Sequence, residues 1–158
     1  MLNQSKVREG LDRTGRQLIT DLQAAMVSSG ANATGKTAAS LAYTINFSGT
    51  GVQFLLTGGA GWAFVEQGRG KTVNKSGTGE VRKAIEEWAQ ARGIPAKRVP
   101  GIVALIHRYG TRLHRKGLRR DVYTSILTAK RLEDIAGNIG LVAESSLASE
   151  IVQAFKTT

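Results

Sequence analysis

Between Leu22 and Val65 the chain carries a single charged side chain, Lys36. A folded surface ordinarily mixes both signs of charge along its length. A stretch this long with one cation is therefore buried on both faces or packs against other copies of the chain. Its internal pattern narrows the choice of structure. Leu41, Tyr43, Ile45 and Phe47 alternate with Ala42, Thr44 and Asn46, which is the period of a strand. Ser48-Gly-Thr-Gly51 reads as a hairpin connection, and Val52, Phe54 and Leu56 alternate again, with Leu55 apolar on the other face. The strand is expected over Thr37–Phe47, and the sheet with its exit over 37–66.

The flanks of this stretch read as helices. From Ser5 to Ser29, Val7, Leu11, Leu18, Leu22 and Met26 share one helical face, and Gly30 is placed to end it. Gly10 and Gly15 each weaken a helix by about 1 kcal/mol relative to Ala. After the strands, Gly58-Gly-Ala-Gly61 turns the chain. Gly61-Trp-Ala-Phe-Val-Glu-Gln-Gly-Arg-Gly70 then marks a change of character, a hinge where sheet and helical layer meet. Trp62, Phe64 and Val65 are expected in the core under the sheet. Glu66 is a lone carboxylate there, poor material for acid–base chemistry. Gly68–Gly79 reads as a basic loop.

From Thr78 or Gly79 a helix carries Val81, Ile85, Trp88 and Arg92 on one face and stops at Gly93-Ile-Pro95. A further helix over Pro100–Tyr109 places Ile102, Leu105, Ile106 and Tyr109 together, and Gly110 ends it. Asp121 opens a helix with Val122, Ile126, Ala129, Leu132, Ile135 and Ile139 on it. Leu147, Ile151, Val152 and Phe155 form a last amphipathic stretch, and Leu141–Ser146 fits strand or helix equally. The expected fold class is α+β. A small antiparallel sheet built on a β-hairpin packs against an N-terminal helix (5–29) and several C-terminal helices (80–110 and 121–156), in one domain over 1–158.

Charge separates the two halves. The net charge is +10. Glu66–Arg120 holds 14 Lys/Arg against 4 acids, so the excess lies entirely within it. No acid occurs from Trp88 to Arg120, while Arg112, Arg115, Lys116, Arg119 and Arg120 crowd together. Such a patch suits acidic neighbours or, independently of sequence, DNA phosphates. Base readout is not indicated, because no recognition helix is evident and aromatics are not interleaved with the cations.

Other chemistries find little support. There is no cysteine, so no disulfide framework or thiolate metal site exists, which fits a reducing compartment. His107 and His114 have no Cys or Asp nearby to complete a zinc site. No apolar run approaches membrane-spanning length and the first ten residues are polar, so neither a membrane partner nor a secretory signal is expected. Gly30-Ala-Asn-Ala-Thr-Gly-Lys-Thr37 fits the phosphate-loop pattern, with Lys36 on terminal phosphates and Thr37 on magnesium. That loop must follow a buried strand and open a helix. Here a helix precedes it and a strand pattern follows, so a polar connection is the better reading. No cofactor and no enzymatic activity are expected, and a nucleotide-binding enzyme stands as a distant alternative.

The ordered set of Thr34-Gly35, Trp62-Ala-Phe-Val-Glu-Gln-Gly68, Glu87-Trp88 with Arg92-Gly-Ile94, and Ile106-His-Arg-Tyr-Gly-Thr111 resembles the tail-completion and head–tail connector proteins of tailed bacteriophages. The resemblance covers about residues 5 to 116. It implies a non-enzymatic virion protein of the neck or tail, made in the host bacterial cytoplasm. It would form a hexameric or dodecameric ring that joins portal, adaptor or tail proteins and lets DNA pass. Members often carry a proline-rich apolar segment after Gly-Thr, where this chain has Arg112–Asp121. That departure leaves terminator and adaptor positions both open. An uncharged hairpin suits a ring, whose head-to-tail contacts cover strand edges. Leu41, Tyr43, Ile45, Phe47, Val52, Phe54 and Leu56 are accordingly expected at subunit contacts. The basic residues Arg112, Arg115, Lys116, Arg119 and Arg120 are expected to meet DNA or acidic partners. The alternative is a free, nonspecific DNA-binding protein acting through 92–120.

Overall fold

Val7, Leu11, Leu18, Leu22 and Met26 form one stripe of a helix, α1, running over Gln4–Ser28. All five are 3% exposed or less, and the hairpin and the segment around Val122 pack on this stripe. The computed structural model describes residues 4–48, 51–73, 79–137 and 140. α1 ends at Gly30, whose φ is 68°, a left-handed value that suits glycine.

After α1, residues Lys36–Ala39 form a short helix, α2, before β1 (Ala42–Ser48) and β2 (Gly51–Thr57). The expected strand over Thr37–Phe47 is thus corrected at its start. Ala38 and Leu41 are both buried in the core, and their spacing of three is helical. Ser40 Oγ donates to Thr37 O at 2.7 Å and accepts from Gly59 N–H at 2.8 Å, fixing the turn. The strand alternation begins only after Leu41.

β1 and β2 pair antiparallel from Ala42↔Thr57 to Ser48↔Gly51. Their register puts Tyr43, Ile45 and Phe47 opposite Leu56, Phe54 and Val52, so one face is apolar as the alternation requires. That face lies on the N-terminal half of α1. Ile45 is buried with Val7 and Leu11, and Tyr43, Phe47 and Phe54 pack around them. Tyr43 and Phe54 stack with centroids 5.6 Å apart, and the Arg8 guanidinium sits 5.0 Å from the Phe47 ring centre. Gly15 has a packing reason: a Cβ there would lie 2.7 Å from Tyr43 Cγ. The Tyr43 hydroxyl reaches Asp12 O and Oδ1, both at 3.2 Å.

A second cluster forms on the C-terminal half of α1. Leu22, Met26, Ala38, Leu41, Val65 and Val122 are buried together, with Trp62 and Tyr123 packed against them. Trp62 lies in a 3-10 turn over Ala60–Phe64, and its ring centre is 5.2 Å from that of Tyr123. The core expectation holds for Val65 and in part for Trp62. It is corrected for Phe64, which is 43% exposed and is not among the residues packed on that cluster.

The helical layer consists of α3 (Glu80–Ala91), α4 (Val99–Tyr109), α5 (Arg112–Arg115) and α6 (Val122–Ile126), followed by a helical stretch over 129–137. α3 and α4 match the helices read from the sequence to within a residue or two. The single helix expected from Asp121 is divided. The backbone leaves helical geometry at Leu127, with φ −92° and ψ 55°. Arg131 of the second piece then pairs with Asp21 on α1, at 2.5 Å. Ile139 and the amphipathic stretch Leu147–Phe155 lie outside the described residues. The architecture is a small α+β fold in which a two-stranded antiparallel sheet, α2 and α6 pack on α1, while α3 and α4 pack on each other.

Candidate functional site

Glu66 lies in the middle of the Trp62–Gly70 stretch, and the fold covers it. The side chain is fully buried. The Thr124 amide donates to Oε1 at 2.7 Å, the Thr124 hydroxyl bonds to the same oxygen, and Arg119 Nη2 donates to Oε2 at 3.2 Å. The Arg120 amide donates to the Glu66 carbonyl at 3.1 Å. Burial acts to raise the carboxyl pKa, but the two Thr124 donors and Arg119 outweigh it and hold the group below the usual carboxylate range. The lone carboxylate of the sequence is therefore a partnered one. It joins the turn after the sheet to the start of α6 across more than fifty residues. Tyr123 beside it is pushed above the usual phenol value, by burial first and by the Glu66 charge second.

The next residues are stitched to the end of α4. Thr111 N–H donates to Arg69 O at 2.8 Å, Arg69 N–H donates to Thr111 Oγ1 at 3.0 Å, and Thr72 N–H donates to His107 O at 3.0 Å. Thr72 Oγ1 and His107 Nδ1 lie 2.7 Å apart. Gly110 is required here: its φ is 81°, and a Cβ would stand 2.7 Å from Arg69 O. His107 thus has a structural partner, and among the described residues no group of three or more His or acidic side chains is placed to hold a metal.

Beside this stitching lies a groove of about 430 Å3 between α3, α4 and α5. Phe64, Trp88, Ile102 and Leu105 are among its apolar lining residues. Arg112, Arg115 and Arg120 also line it. These are three of the five cations singled out in the sequence. The structure brings them together around an apolar surface, a feature that charge counting alone does not show. Lys116 is exposed nearby in sequence, at the C-cap of α5. Arg119 differs from them: it is committed to Glu66 at 3.2 Å and lies 3.8 Å from Asp121. Its half-exposed side chain is mainly a structural partner.

The expected subunit-contact residues also divide. Leu41 and Ile45 are buried within the chain itself, and Tyr43, Phe47, Phe54 and Leu56 are half-buried on the inward face. As subunit contacts they are corrected to core and near-core residues, because α1 already covers the face they share. Val52, at the hairpin end, is 37% exposed. The opposite face is the free one: Ala42, Thr44, Asn46, Gln53, Leu55 and Thr57 are exposed and uncharged. Among the described residues neither outer edge of the two-stranded sheet pairs with a further strand.

The phosphate-loop match lies between two helices. α2 does begin at Lys36, so a helix follows the loop, contrary to the sequence expectation, but it has four residues. α1, not a strand, comes before it. Lys36 Nζ is 2.7 Å from Glu87 Oε1 on α3, and this contact draws the Glu87 pKa down. The lysine that would reach terminal phosphates is thus an interhelical tie. No helix among the described residues is long and apolar enough to cross a membrane. Comparison with protein families, curated proteins and solved structures returns no match.

Proposed function

We propose that the protein is a structural subunit of a ring in a bacteriophage neck, joining portal to tail around the DNA path. The observation that carries this reading is the hairpin. Its outer face has no charge and neither edge is paired among the described residues. A two-stranded sheet with bare edges invites further strand pairing, and single domains ordinarily guard such edges with charge or cover. Placed in a ring, the same edges become a repeating head-to-tail contact. The ordered motifs from Thr34-Gly35 to Gly110-Thr111 support the same assignment. So does the structural use of Glu66 and Lys36, the two residues with the best claim to chemistry in the sequence.

The contact surface moves from that expected of the sequence. It comprises the outward positions Thr44, Asn46, Gln53 and Leu55, with Val52 at the tip. Leu55→Lys tests it: Leu55 is 45% exposed, so the subunit still folds while ring formation is lost. Electron microscopy of assembled particles, with the chain labelled, reads the outcome. Label away from the neck, or intact rings from Leu55→Lys, refutes the assignment or the contact respectively.

A second reading has its own observation. Arg112, Arg115, Lys116 and Arg120 are all exposed within ten residues of chain. They suit sequence-independent contact with DNA phosphates, either in a ring lumen or by the free subunit. In that case affinity for duplex DNA falls steeply with salt, by a slope that counts the phosphates neutralised. Negligible binding at low salt removes the free-subunit version.

A further inference from the structure

Two apolar helix stripes meet in the groove between α3, α4 and α5, and the fold buries neither fully. On α3, Ile85 and Trp88 are half-buried. On α4, Ile102 is half-buried and Leu105 is 52% exposed. Stripes at this spacing ordinarily close against another element. Arg112, Arg115 and Arg120 line the same groove and are exposed, and no carboxylate pairs with any of them among the described residues. The lining amides of Gly68, Gly110 and Thr111 are already engaged, donating to the carbonyls of Phe64, Ile106 and Arg69 at 2.9, 2.9 and 2.8 Å. The guanidiniums are therefore the donors that an occupant meets.

We propose that the groove seats an acidic amphipathic helix of a different protein, with Leu, Ile or Phe on one face and Asp or Glu flanking it. The proposal goes beyond the ring reading and does not depend on it. Charge selects the partner. The residues outside those described hold Glu144 and Glu150 against Lys75 and Lys156, so they bring no net charge to three arginines. A second copy of the chain brings a further +10, and like charge opposes it. The acids that match this groove come from another molecule.

The apolar lining separates a protein partner from nucleic acid. Duplex DNA offers phosphates that would neutralise the arginines, but it leaves Trp88, Ile102 and Leu105 in water. A helix whose apolar face is flanked by acids answers both halves of the groove. Its anchors cover the apolar side chains, as amphipathic helices do when they lie in hydrophobic grooves. Its carboxylates meet guanidiniums, whose fork suits paired hydrogen bonds to two oxygens.

The test titrates the full-length chain into fluorescein-labelled peptides of about five helical turns. The peptides carry Leu, Ile or Phe anchors at i, i+4, i+7 and i+11 with Glu on the flanks, and fluorescence anisotropy reads binding. At least one peptide should bind, more weakly as salt rises. Its scrambled counterpart, which has no apolar face, should bind about tenfold more weakly or worse. Arg115→Glu and Leu105→Glu should each weaken binding about tenfold, and circular dichroism checks that both variants stay folded. Lys97→Glu, at an exposed cation outside the groove lining, should change it less than about twofold. No binding by any of the three peptides, equal weakening by Lys97→Glu and Arg115→Glu, or indifference to Leu105→Glu overturns the proposal. Duplex DNA bound more tightly than every peptide at the same salt gives the groove to nucleic acid and also overturns it. The chain has no cysteine, so Leu105→Cys with Val152→Cys tests its own tail. A disulfide formed within the monomer in full yield shows that the tail fills the groove, and overturns the proposal too. All of this is read on the isolated subunit, so the ring reading stands or falls separately, on particle microscopy.

Discussion

Replacing Glu66 tests the central account of how the two halves of the chain are joined. Thr124 donates twice to Oε1, through its amide at 2.7 Å and through its hydroxyl, and hydrogen bonds to a charged acceptor contribute about 1.5–3 kcal/mol each. Arg119 adds less. Its side chain is half exposed and can return to water, so its share is about 1 kcal/mol or below. The variant recovers the cost of burying a charge, which offsets part of the loss. Glu66→Ala should therefore cost about 3 kcal/mol, and Arg119→Ala about 1 kcal/mol or less. For a domain of this size, about 3 kcal/mol corresponds to a fall in Tm of roughly 6–12 °C. Thermal unfolding by circular dichroism and urea unfolding by tryptophan emission both read it. The pH profile adds a sign. The folded pKa of Glu66 is depressed, so its stabilisation is full above the unfolded carboxyl value near about 4.3 and fades as pH falls through the folded value. The gap between wild type and Glu66→Gln should be constant above about pH 5 and narrow below it. An Arg119→Ala cost equal to that of Glu66→Ala, or a Glu66→Ala cost under about 1 kcal/mol, would refute the reasoning.

Gly15→Ala should destabilise the protein, although Ala favours a helix by about 1 kcal/mol, because the new methyl meets the Tyr43 ring; a raised Tm would show that the ring moves aside freely. Asp21→Asn removes the charged partner of Arg131, whose hydrogen bond is the main cause of the low Asp21 pKa. Amide exchange should then quicken selectively across 129–137, with little change in the hairpin. Lys36→Ala should lower stability only slightly and leave any nucleotide response unchanged, since Lys36 ties α2 to α3 through an exposed ion pair. Calorimetry showing ATP binding abolished by that substitution would restore the phosphate-loop reading.

Local pattern carried much of the fold. The stripe of α1, the alternation in β1 and β2, and the stops at Gly30, Gly93 and Gly110 are short-range signals. They are written within one turn or one strand and survive any packing. The same holds for the division between an uncharged sheet and a basic helical half. Boundaries that depend on burial are less legible in the sequence. Thr37–Ser40 looked like the start of a strand because alternation continued from Leu41, and the helical spacing of Ala38 and Leu41 shows only once both are seen in one core.

The Trp62–Gly70 stretch marks the boundary between what is legible along the chain and what depends on its folding. Its glycines, its aromatic cluster and its change of charge character are properties of composition and order, and they place a junction there from sequence alone. The partners of Glu66 are not: Arg119 and Thr124 lie more than fifty residues away, and no local rule names them. Nor does charge counting separate Arg119, drawn inward to a buried carboxylate, from Arg112, Arg115 and Arg120, which surround an apolar groove. A period of two groups the inward face of the hairpin, yet period cannot say what covers a face. Packing against α1 assigns that face to the core and, among the described residues, leaves the uncharged outer face and the groove beside α5 exposed.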